Sequence, residues 1–389
     1  MIAPIPFLSS PRSAPPRWAA LALAFCVWLA AGAVEQDAPT LNVDETCTAF
    51  AYAPDGRIAY SVRHILTTRQ LEIQRDDIWL IGLDGKRRRI VNGEKLIQGA
   101  SRSKGPAAFS YAIQSMRWSP EGTRLTVEML TSEMIDPRGD TREGQLTLLL
   151  DDAGREIRIA GADSVIPYAT NAAWLADGVT VVYLQEAVKP KLLYSIHTVR
   201  PVAGREGALF ADHVFAAAAW NAKQNIGVAI ERERSLSDPP RLVALDLLKE
   251  THRELATLDG FQGGLSLSPS GARVAYFRDN EVLEIRELGA PERVARVRVA
   301  FGAYQWARDE QRILLKRGLE RRSGDLAWLA VPFPDAANAK PGSRSQVPEA
   351  ELRPVLHGLS FRDFELSPDG HFLAVIQPGK RNLLVYPAP

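Results

Sequence analysis

Six histidines are the residues of this chain best suited to bind a metal ion or to act as a general base. They are spread along the sequence, at His64, His197, His213, His252, His357 and His371. No two of them have the His-x-x-x-His or His-Glu-x-x-His spacing that places two imidazoles on one face of a helix. Local spacing therefore predicts no metal site, and histidines could cluster only if the fold brought distant segments together.

Other motifs for ligand chemistry are missing as well. The sequence has no phosphate-binding loop, no Rossmann glycine pattern and no Asp-x-Asp-x-Asp-Gly calcium loop. Arg138-Gly139-Asp140 matches an adhesion tripeptide, but chance composition explains it in a segment rich in Pro, Gly and charge. We expect no cofactor, no metal and no catalytic residue that local motifs could identify.

The basic run Lys86-Arg87-Arg88-Arg89 is the strongest local concentration of charge. It could contact an anionic partner, but it also falls on a predicted outer strand, where positive side chains discourage pairing with another molecule. The whole chain has 47 basic and 46 acidic residues, a net charge of +1. This balance indicates neither nucleic acid nor an anionic membrane as a partner.

The elements that must position these residues are set by a repeat in which a short strand ends in an aromatic or apolar residue and a tight turn follows. Its clearest copies, followed by two degenerate ones, are Tyr52-Ala53-Pro54-Asp55-Gly56, Trp118-Ser119-Pro120-Glu121-Gly122, Trp174-Leu175-Ala176-Asp177-Gly178, Leu267-Ser268-Pro269-Ser270-Gly271, Leu366-Ser367-Pro368-Asp369-Gly370, Trp220-Asn221-Ala222-Lys223-Gln224 and Trp306-Ala307-Arg308-Asp309-Glu310. In the turns, Pro presets φ, Asp bonds the local backbone and Gly accepts a positive φ. We expect the Trp side chains to fill the core rather than to form a ligand cage.

The spacing of the copies predicts the architecture. It ranges from 39 residues (Pro269 to Arg308) to 66 residues (Pro54 to Pro120), and the shortest interval holds four short predicted strands. Such a repeat is typical of a β-propeller. We predict an all-β fold, a seven-bladed β-propeller of four-stranded antiparallel blades over residues 34–389.

The last repeat contains only three predicted strands before Pro389. Thr40 to Val43 precedes the first repeat and has no partner of its own, so we expect it to return as the fourth strand of the last blade. That arrangement would remove an exposed sheet edge and close the ring.

Residues 1–33 have the pattern of a Sec-type signal peptide. Arg12 and Arg17 precede an apolar run from Trp18 to Ala31, and Ala31-Gly32-Ala33 is a small-residue cleavage site. We expect cleavage after Ala33, a periplasmic or secreted protein, and no membrane span afterwards. An uncleaved anchor is the alternative. Cys47 would be the one cysteine left, so no internal disulfide is expected.

The apolar strand, the Trp-Ser-Pro-Asp-Gly turn and the later Asp-Gly turn of Leu80-Ile81-Gly82-Leu83-Asp84-Gly85 resemble the TolB-like β-propeller repeat. Related repeats form the amino-terminal propeller of dipeptidyl peptidase IV and prolyl oligopeptidase relatives. The resemblance covers roughly residues 40 to 389 and implies the fold, while propellers serve binding, scaffolding and catalysis alike.

Two departures from those families limit what the resemblance implies about activity. The propeller begins near the predicted cleavage site, without the α/β domain that precedes it in TolB. The peptidases have a Gly-x-Ser-x-Gly elbow, whereas Gly264-Leu265-Ser266-Leu267-Ser268 and Gly358-Leu359-Ser360-Phe361-Arg362 lack the closing glycine. Peptidase activity is therefore not implied.

We expect binding at the long connections of the first two blades, because variable loops on a rigid scaffold usually carry function. Three of these connections should share one face of the propeller, namely Thr67 to Asp77, Thr131 to Gly144 and Gly93 to Ser110. The predicted partner-binding residues are Arg69, Arg75, Asp76, Asp77, Glu133, Arg138 and Asp140.

The partner would be a protein or peptide of the cell envelope, and the chain a non-catalytic scaffold. The alternatives are a propeller lyase or hydrolase acting on polysaccharide or peptide, or a propeller that serves a separate peptidase domain.

Overall fold

A computed structural model describes residues 38–67, 72–94, 108–134, 141–159, 164–187, 193–201, 203–233, 235–317, 325–331, 347–356, 363–377 and 379–388. The predicted signal peptide and its cleavage site lie outside the described residues. The described residues belong to one compact unit by their contacts. None of the described residues belongs to a helix long and apolar enough to cross a bilayer.

The described structure is built from β-strands. In chain order they are β1 Leu41–Val43, β2 Cys47–Tyr52, β3 Ile58–Thr67, β4 Glu72–Ile81, β5 Arg87–Val91, β6 Ala108–Trp118, β7 Arg124–Met134, β8 Thr141–Asp151, β9 Val165–Pro167, β10 Ala169–Trp174, β11 Val181–Glu186, β12 Tyr194–Arg200, β13 Arg205–Leu209, β14 Val214–Asn221, β15 Ile226–Arg232, β16 Arg241–Asp246, β17 Thr251–Thr257, β18 Gly263–Leu267, β19 Arg273–Phe277, β20 Val282–Glu287, β21 Val294–Arg298, β22 Tyr304–Trp306, β23 Arg312–Arg317, β24 Asp325–Ala330, β25 Leu352–Leu356, β26 Phe364–Leu366, β27 Phe372–Ile376 and β28 Leu383–Pro387.

These strands pair into antiparallel groups of four that follow the chain. Groups 1 and 2 are β2–β5 and β6–β9, groups 5 and 6 are β18–β21 and β22–β25, and group 7 is β26–β28 with β1. Groups 3 (β10–β13) and 4 (β14–β17) share one eight-stranded sheet, in which a single residue pair, Tyr194 with Phe215, joins them. Within the described residues no sheet closes on itself through its hydrogen bonds.

The N-terminal strand pairs with the last strand of the chain. β1 lies antiparallel to β28, with Leu41 opposite Val385 and Val43 opposite Leu383. The Thr40 backbone N–H also donates to the Val385 carbonyl oxygen at 2.8 Å, and the Asn382 side-chain amide donates to Asp44 at 2.9 Å. Group 7 is thus completed by residues from both ends of the described chain.

Apolar side chains fill the space between consecutive groups. Because neighbouring side chains on a strand point to opposite faces, Val181 and Tyr183 pack toward group 2 while Val182 and Leu184 pack toward group 4. Among the described residues, six such clusters each combine two groups adjacent in the chain, and a seventh combines group 7 with group 1. Strands buried on both faces explain the nearly continuous apolar runs in the sequence.

The anchor aromatic residues lie at the ends of the innermost strands, as the repeat predicts. Trp118, Trp174 and Trp306 are buried, while Trp220 is half-buried. The turns after them contain glycines with positive φ, for example Gly56 at 87°, which a side chain would strain. Cys47 is fully buried, and burial raises the pKa of its thiol to about 12. Cys47 thus packs as a small buried side chain.

Two of the predicted loops are mostly strand, so that part of the sequence prediction was wrong. β3 and β4 continue in register from Val62 opposite Asp77 to Thr67 opposite Glu72. β7 and β8 continue from Thr131 opposite Gly144 to Met134 opposite Thr141. Cross-strand pairing satisfies the backbone groups that a loop would leave to solvent, and these hairpins therefore extend past the shorter strands of the other groups.

Candidate functional site

The extended hairpins of groups 1 and 2 form a rim whose buried side is fixed by ion pairs. Asp76 on β4 is fully buried and accepts two hydrogen bonds from the Arg63 guanidinium, each 2.9 Å long. Its Oδ2 also accepts the Ile113 backbone N–H at 2.8 Å and the Thr48 hydroxyl at 3.2 Å. One carboxylate thus joins β2, β3, β4 and β6, and a bidentate buried pair of this kind is costly to break.

The neighbouring Asp77 has a similar role on the other face of β4. Its Oδ1 accepts the Gly93 backbone N–H at 2.6 Å, and its Oδ2 lies 3.2 Å from Arg89 Nη1 and 3.3 Å from His64 Nε2. The Tyr111 hydroxyl is the donor to two backbone carbonyl oxygens nearby, that of Gly93 at 2.6 Å and that of Asp76 at 3.0 Å. A side chain at Gly93 would lie 2.6 Å from the Tyr111 oxygen, so the close approach requires glycine.

The structure places the predicted partner-binding residues in different surroundings. Asp76 and Asp77 are buried among their own ion pairs, so a partner cannot reach these carboxylates in this conformation. Arg75 is partly exposed, with its Nη1 3.4 Å from the Glu94 carboxylate. Glu133 lies on β7 with its backbone opposite Ala108 and Arg142. The remaining predicted residues, Arg69, Arg138 and Asp140, lie outside the described residues.

The rim also has apolar residues that the sequence reading missed. Ile65 and Leu66 near the end of β3 are 53% and 56% exposed, and Leu130 on β7 is 41% exposed. Tyr168 is 53% exposed and has a φ of 57°. Its N–H donates to the carbonyl oxygen of Gln145, and Gln145 is the residue opposite Leu130 in the pairing of β7 with β8. We call Ile65, Leu66, Leu130 and Tyr168 the rim surface. The signal for this surface in the sequence was the presence of large apolar residues near the projecting ends of strands.

Hydrogen bonds tie the two hairpins of the rim together. The Gln74 backbone N–H donates to the Ser110 hydroxyl at 2.8 Å, and this hydroxyl lies 3.2 Å from the Gln74 carbonyl oxygen. Gln74 stands opposite Ile65 and Ser110 stands opposite Ser132 in the strand registers. The exposed residues of the two groups are therefore presented by one connected frame.

The second candidate region is the space between the innermost strands, which we call the channel. One cavity there has a volume of about 700 Å³ and is lined by residues of groups 1, 2, 4, 5, 6 and 7. The residues directly before the anchors of five repeats contribute to the lining, namely Ala51, Arg117, Ser266, Gln305 and Glu365. That position alternates with the buried anchor, and this alternation is the signal by which the sequence could have identified the channel residues.

Hydrogen bonds between innermost segments run around this channel. They join Tyr52 N to Glu365 Oε2 (3.2 Å), Trp118 Nε1 to the Ala51 carbonyl (3.2 Å), Arg117 Nη1 to Asn171 Oδ1 (3.0 Å), Trp220 Nε1 to the Asn171 carbonyl (2.7 Å), Asn221 Nδ2 to the Pro269 carbonyl (2.9 Å), the Tyr304 hydroxyl to the Gly264 carbonyl, and Leu366 N to Gln305 Oε1 (2.8 Å). Together these bonds connect each group to the next and group 7 to group 1.

Two opposite charges face the channel without contacting each other. Protein atoms around Glu365 desolvate its carboxyl group and raise its pKa to about 7, against the lowering effect of the Tyr52 N–H and the Arg117 charge. Desolvation also lowers the pKa of Arg117, partly offset by Glu128 and Glu365, although its side chain is exposed to the space of the channel. Among the described residues no group of three or more His, Cys, Asp or Glu side chains is placed to hold a metal ion.

Known proteins resemble this chain in fold, and the resemblance is found among solved structures. No protein-family model matches the sequence, and no curated protein matches it. The structure of U3-55K superposes with a TM-score of 0.51 at 10% identity, over 90% of this chain and 98% of that one. The WD40 repeats of RRP9 superpose with a TM-score of 0.51 at 11% identity, over 91% of this chain and all of the other.

TolB from Acinetobacter baumannii is also a match, with a TM-score of 0.40 at 12% identity, over 85% of this chain and 79% of that one. The strand groups, together with the similarity to U3-55K and to the RRP9 repeats, define a protein with a β-propeller fold. The relation to the peptidase propellers stays a prediction.

Proposed function

We propose that this chain is an exported, non-catalytic binding protein, a closed seven-bladed β-propeller that docks a protein or peptide of the cell envelope on its rim surface. The observation that carries the proposal is the exposure of Ile65, Leu66 and Leu130 on two neighbouring hairpins joined by hydrogen bonds, and of Tyr168, which is bonded to Gln145 of the second hairpin. Each four-stranded group is one blade in this proposal.

Two continuous sets of contacts support the closed seven-bladed ring. One is the series of apolar clusters, in which Val43 and Tyr60 pack with Ile376 and Val385 between the last and first groups. The other is the hydrogen-bond series around the channel, which returns from Glu365 to Tyr52. The pairing of β1 with β28 supports closure at the outer edge of the last blade.

The chemistry of the rim surface suits a protein partner. Covering exposed apolar side chains such as these is favourable, at about 25 cal/mol per Å² of apolar area removed from water. Arg75 and Glu94 add charged groups beside it, which is the usual combination of an apolar centre with a polar border. The ion pairs of Asp76 and Asp77 keep the hairpins in place, so little order would have to be gained on binding.

The export part of the proposal depends on residues 1–33, whose charge pattern, apolar run and small-residue site are those of a signal peptide. Cell fractionation of the native protein with N-terminal sequencing tests it. A mature chain beginning at Val34 in the exported fraction is expected, and an intact chain in the cytoplasm would contradict export.

The docking part is tested by capture from an envelope extract with tagged protein, followed by mass spectrometry. The wild-type protein should retain a stoichiometric partner, and the double variant I65D/L66D should lose it. The matched control is L83D/L248D, which places the same charges on exposed leucines at turns of the opposite face. Loss of the partner from the control, or its retention by I65D/L66D, would move the site away from the rim surface.

A further inference from the structure

The channel contains enough space and polar lining for a small ligand, independently of the rim surface. Its cavity of about 700 Å³ lies within the usual range of ligand pockets, about 300 to 1,000 Å³. A larger cavity of about 900 Å³ and a smaller one of about 270 Å³ adjoin it. Gln305 and Glu365 line all three, so the channel cavity is the place where these spaces meet.

Arg117 is the main positive charge of the cavity, and its charge is not balanced by direct contact. Its Nη1 donates to the neutral Asn171 Oδ1 at 3.0 Å, and no carboxylate of the described residues lies within 4 Å of it. Arg117 differs in this from the partly buried arginines Arg63 and Arg286, which lie 2.9 Å from Asp76 and 2.6 Å from Glu284. Because the guanidinium is exposed to the cavity, an anion bound there could form an ion pair with it.

The other polar groups of the cavity define what else a ligand must offer. Glu365 Oε2 accepts the Tyr52 N–H, while its second oxygen has no hydrogen-bond partner among the described residues. Gln305 uses its Oε1 for the Leu366 N–H and has its amide NH₂ left for another acceptor. Lys223 adds a second positive charge at the turn after Trp220. The lining therefore combines donors for an anion with one acceptor for an N–H group.

We propose that the channel cavity binds a small molecule with a free carboxylate, namely an amino acid or the C-terminal end of a peptide. The carboxylate pairs with Arg117, whose planar guanidinium can donate two parallel hydrogen bonds to it. An ammonium or amide N–H of the same ligand donates to Glu365. The site lies on innermost strands and shares none of its residues with the rim surface.

Equilibrium dialysis followed by mass spectrometry of the retained ligands tests this proposal with the full-length protein as purified. Three probes are used: an equimolar mixture of the twenty amino acids, a tripeptide library with free C-termini, and the same library with amidated C-termini. We expect retention from the first or the second probe, which distinguishes a free amino acid from a peptide end. We expect no retention from the amidated library.

The variants locate the site. R117Q should lower retention at least tenfold, because Gln can still donate to Asn171 but has no charge. The control R353Q removes an exposed arginine on β25 and should bind like the wild type. Equal retention of free and amidated peptides, full retention by R117Q, or no retention by the wild type at millimolar ligand would each overturn the proposal. The comparison of free with amidated ends holds even if R117Q fails to fold.

Discussion

The backbone N–H of Tyr52 donates a 3.2 Å hydrogen bond to the carboxylate of Glu365, 313 residues away in the sequence. Tyr52 ends the innermost strand of group 1 and Glu365 belongs to the innermost strand of group 7. This contact, together with the pairing of β1 and β28 at the outer side, joins both ends of the described chain. It connects the stability of the scaffold to a titratable group in the channel.

The first prediction concerns pH. The pKa of Glu365 is raised from 4.5 to about 7, so the folded protein holds this proton more tightly than the unfolded chain. The free energy of unfolding should therefore fall as the pH rises from about 4.5 to 7. Glu365→Gln removes this fall and keeps an acceptor for Tyr52. It should be more stable than the wild type at pH 8 by about 1–2 kcal/mol, after allowance for solvent in the channel.

Urea unfolding of both proteins from pH 4.5 to 8 measures this difference. If the difference in free energy of unfolding between E365Q and wild type does not change with pH, Glu365 does not titrate in this range. A wild type that gains stability between pH 5 and 7 relative to E365Q would give the opposite sign and contradict the burial of its carboxyl group.

The second prediction concerns the buried ion pair of the rim. Asp76→Ala leaves the Arg63 guanidinium and the Ile113 N–H without their acceptor, and should cost about 3–5 kcal/mol of unfolding free energy. The double variant R63M/D76L should recover part of this loss, since it leaves no unpaired charge. D84N, at an exposed turn, serves as the control in thermal and urea unfolding. A D76A protein as stable as D84N would refute the structural role of Asp76.

The third prediction concerns Asn171, which connects three groups. Its Oδ1 accepts from Arg117, its Nδ2 donates to the Ala218 carbonyl at 2.8 Å, and its own carbonyl accepts from Trp220. Removing the side chain should cost about 1–3 kcal/mol. Because its φ is 52°, N171G avoids backbone strain and should be more stable than N171A by about 1 kcal/mol. Chemical unfolding compares the two, and equal stabilities would exclude strain at this position.

The fourth prediction concerns the N-terminal strand. Deletion of residues 39–44 exposes the edge of β28 and removes Val43, which is 3% exposed, from its cluster. We expect a loss of about 2–4 kcal/mol and a melting temperature lower by several degrees. A chain that begins at Ala38 is the control and should melt like the full mature protein. An unchanged melting curve for the deletion would contradict the role of β1 in holding the last group.

The elements of the fold could be predicted because their signals are local. A turn such as Pro54-Asp55-Gly56 determines its own hairpin, and the interval from Pro269 to Arg308, predicted to hold four short strands, holds β19 to β22. The sequence pattern predicts loops at the two long hairpins because their polar residues interrupt the apolar pattern. Strand pairing extends them nonetheless.

The candidate sites could be predicted only in part. Asp76 was expected to face a partner because its ion-pair partner, Arg63, is not recognisable from spacing along the sequence. Arg117 and Glu365 come together only through packing between groups, which no local motif reports. Exposed Ile65 and Leu66 resemble core residues in the sequence, and their position becomes clear only once the strand ends are known.

Site-specific photo-cross-linking in living cells tests the central claim most directly. A photoreactive residue in place of Leu66 or Leu130 lies on the rim surface, and one in place of Leu83 or Leu248 lies on the opposite face. We expect one discrete protein adduct, the same for both rim positions, and none from the opposite face. Adducts confined to positions 83 and 248, or no adduct at any of the four positions, would contradict docking at the rim surface.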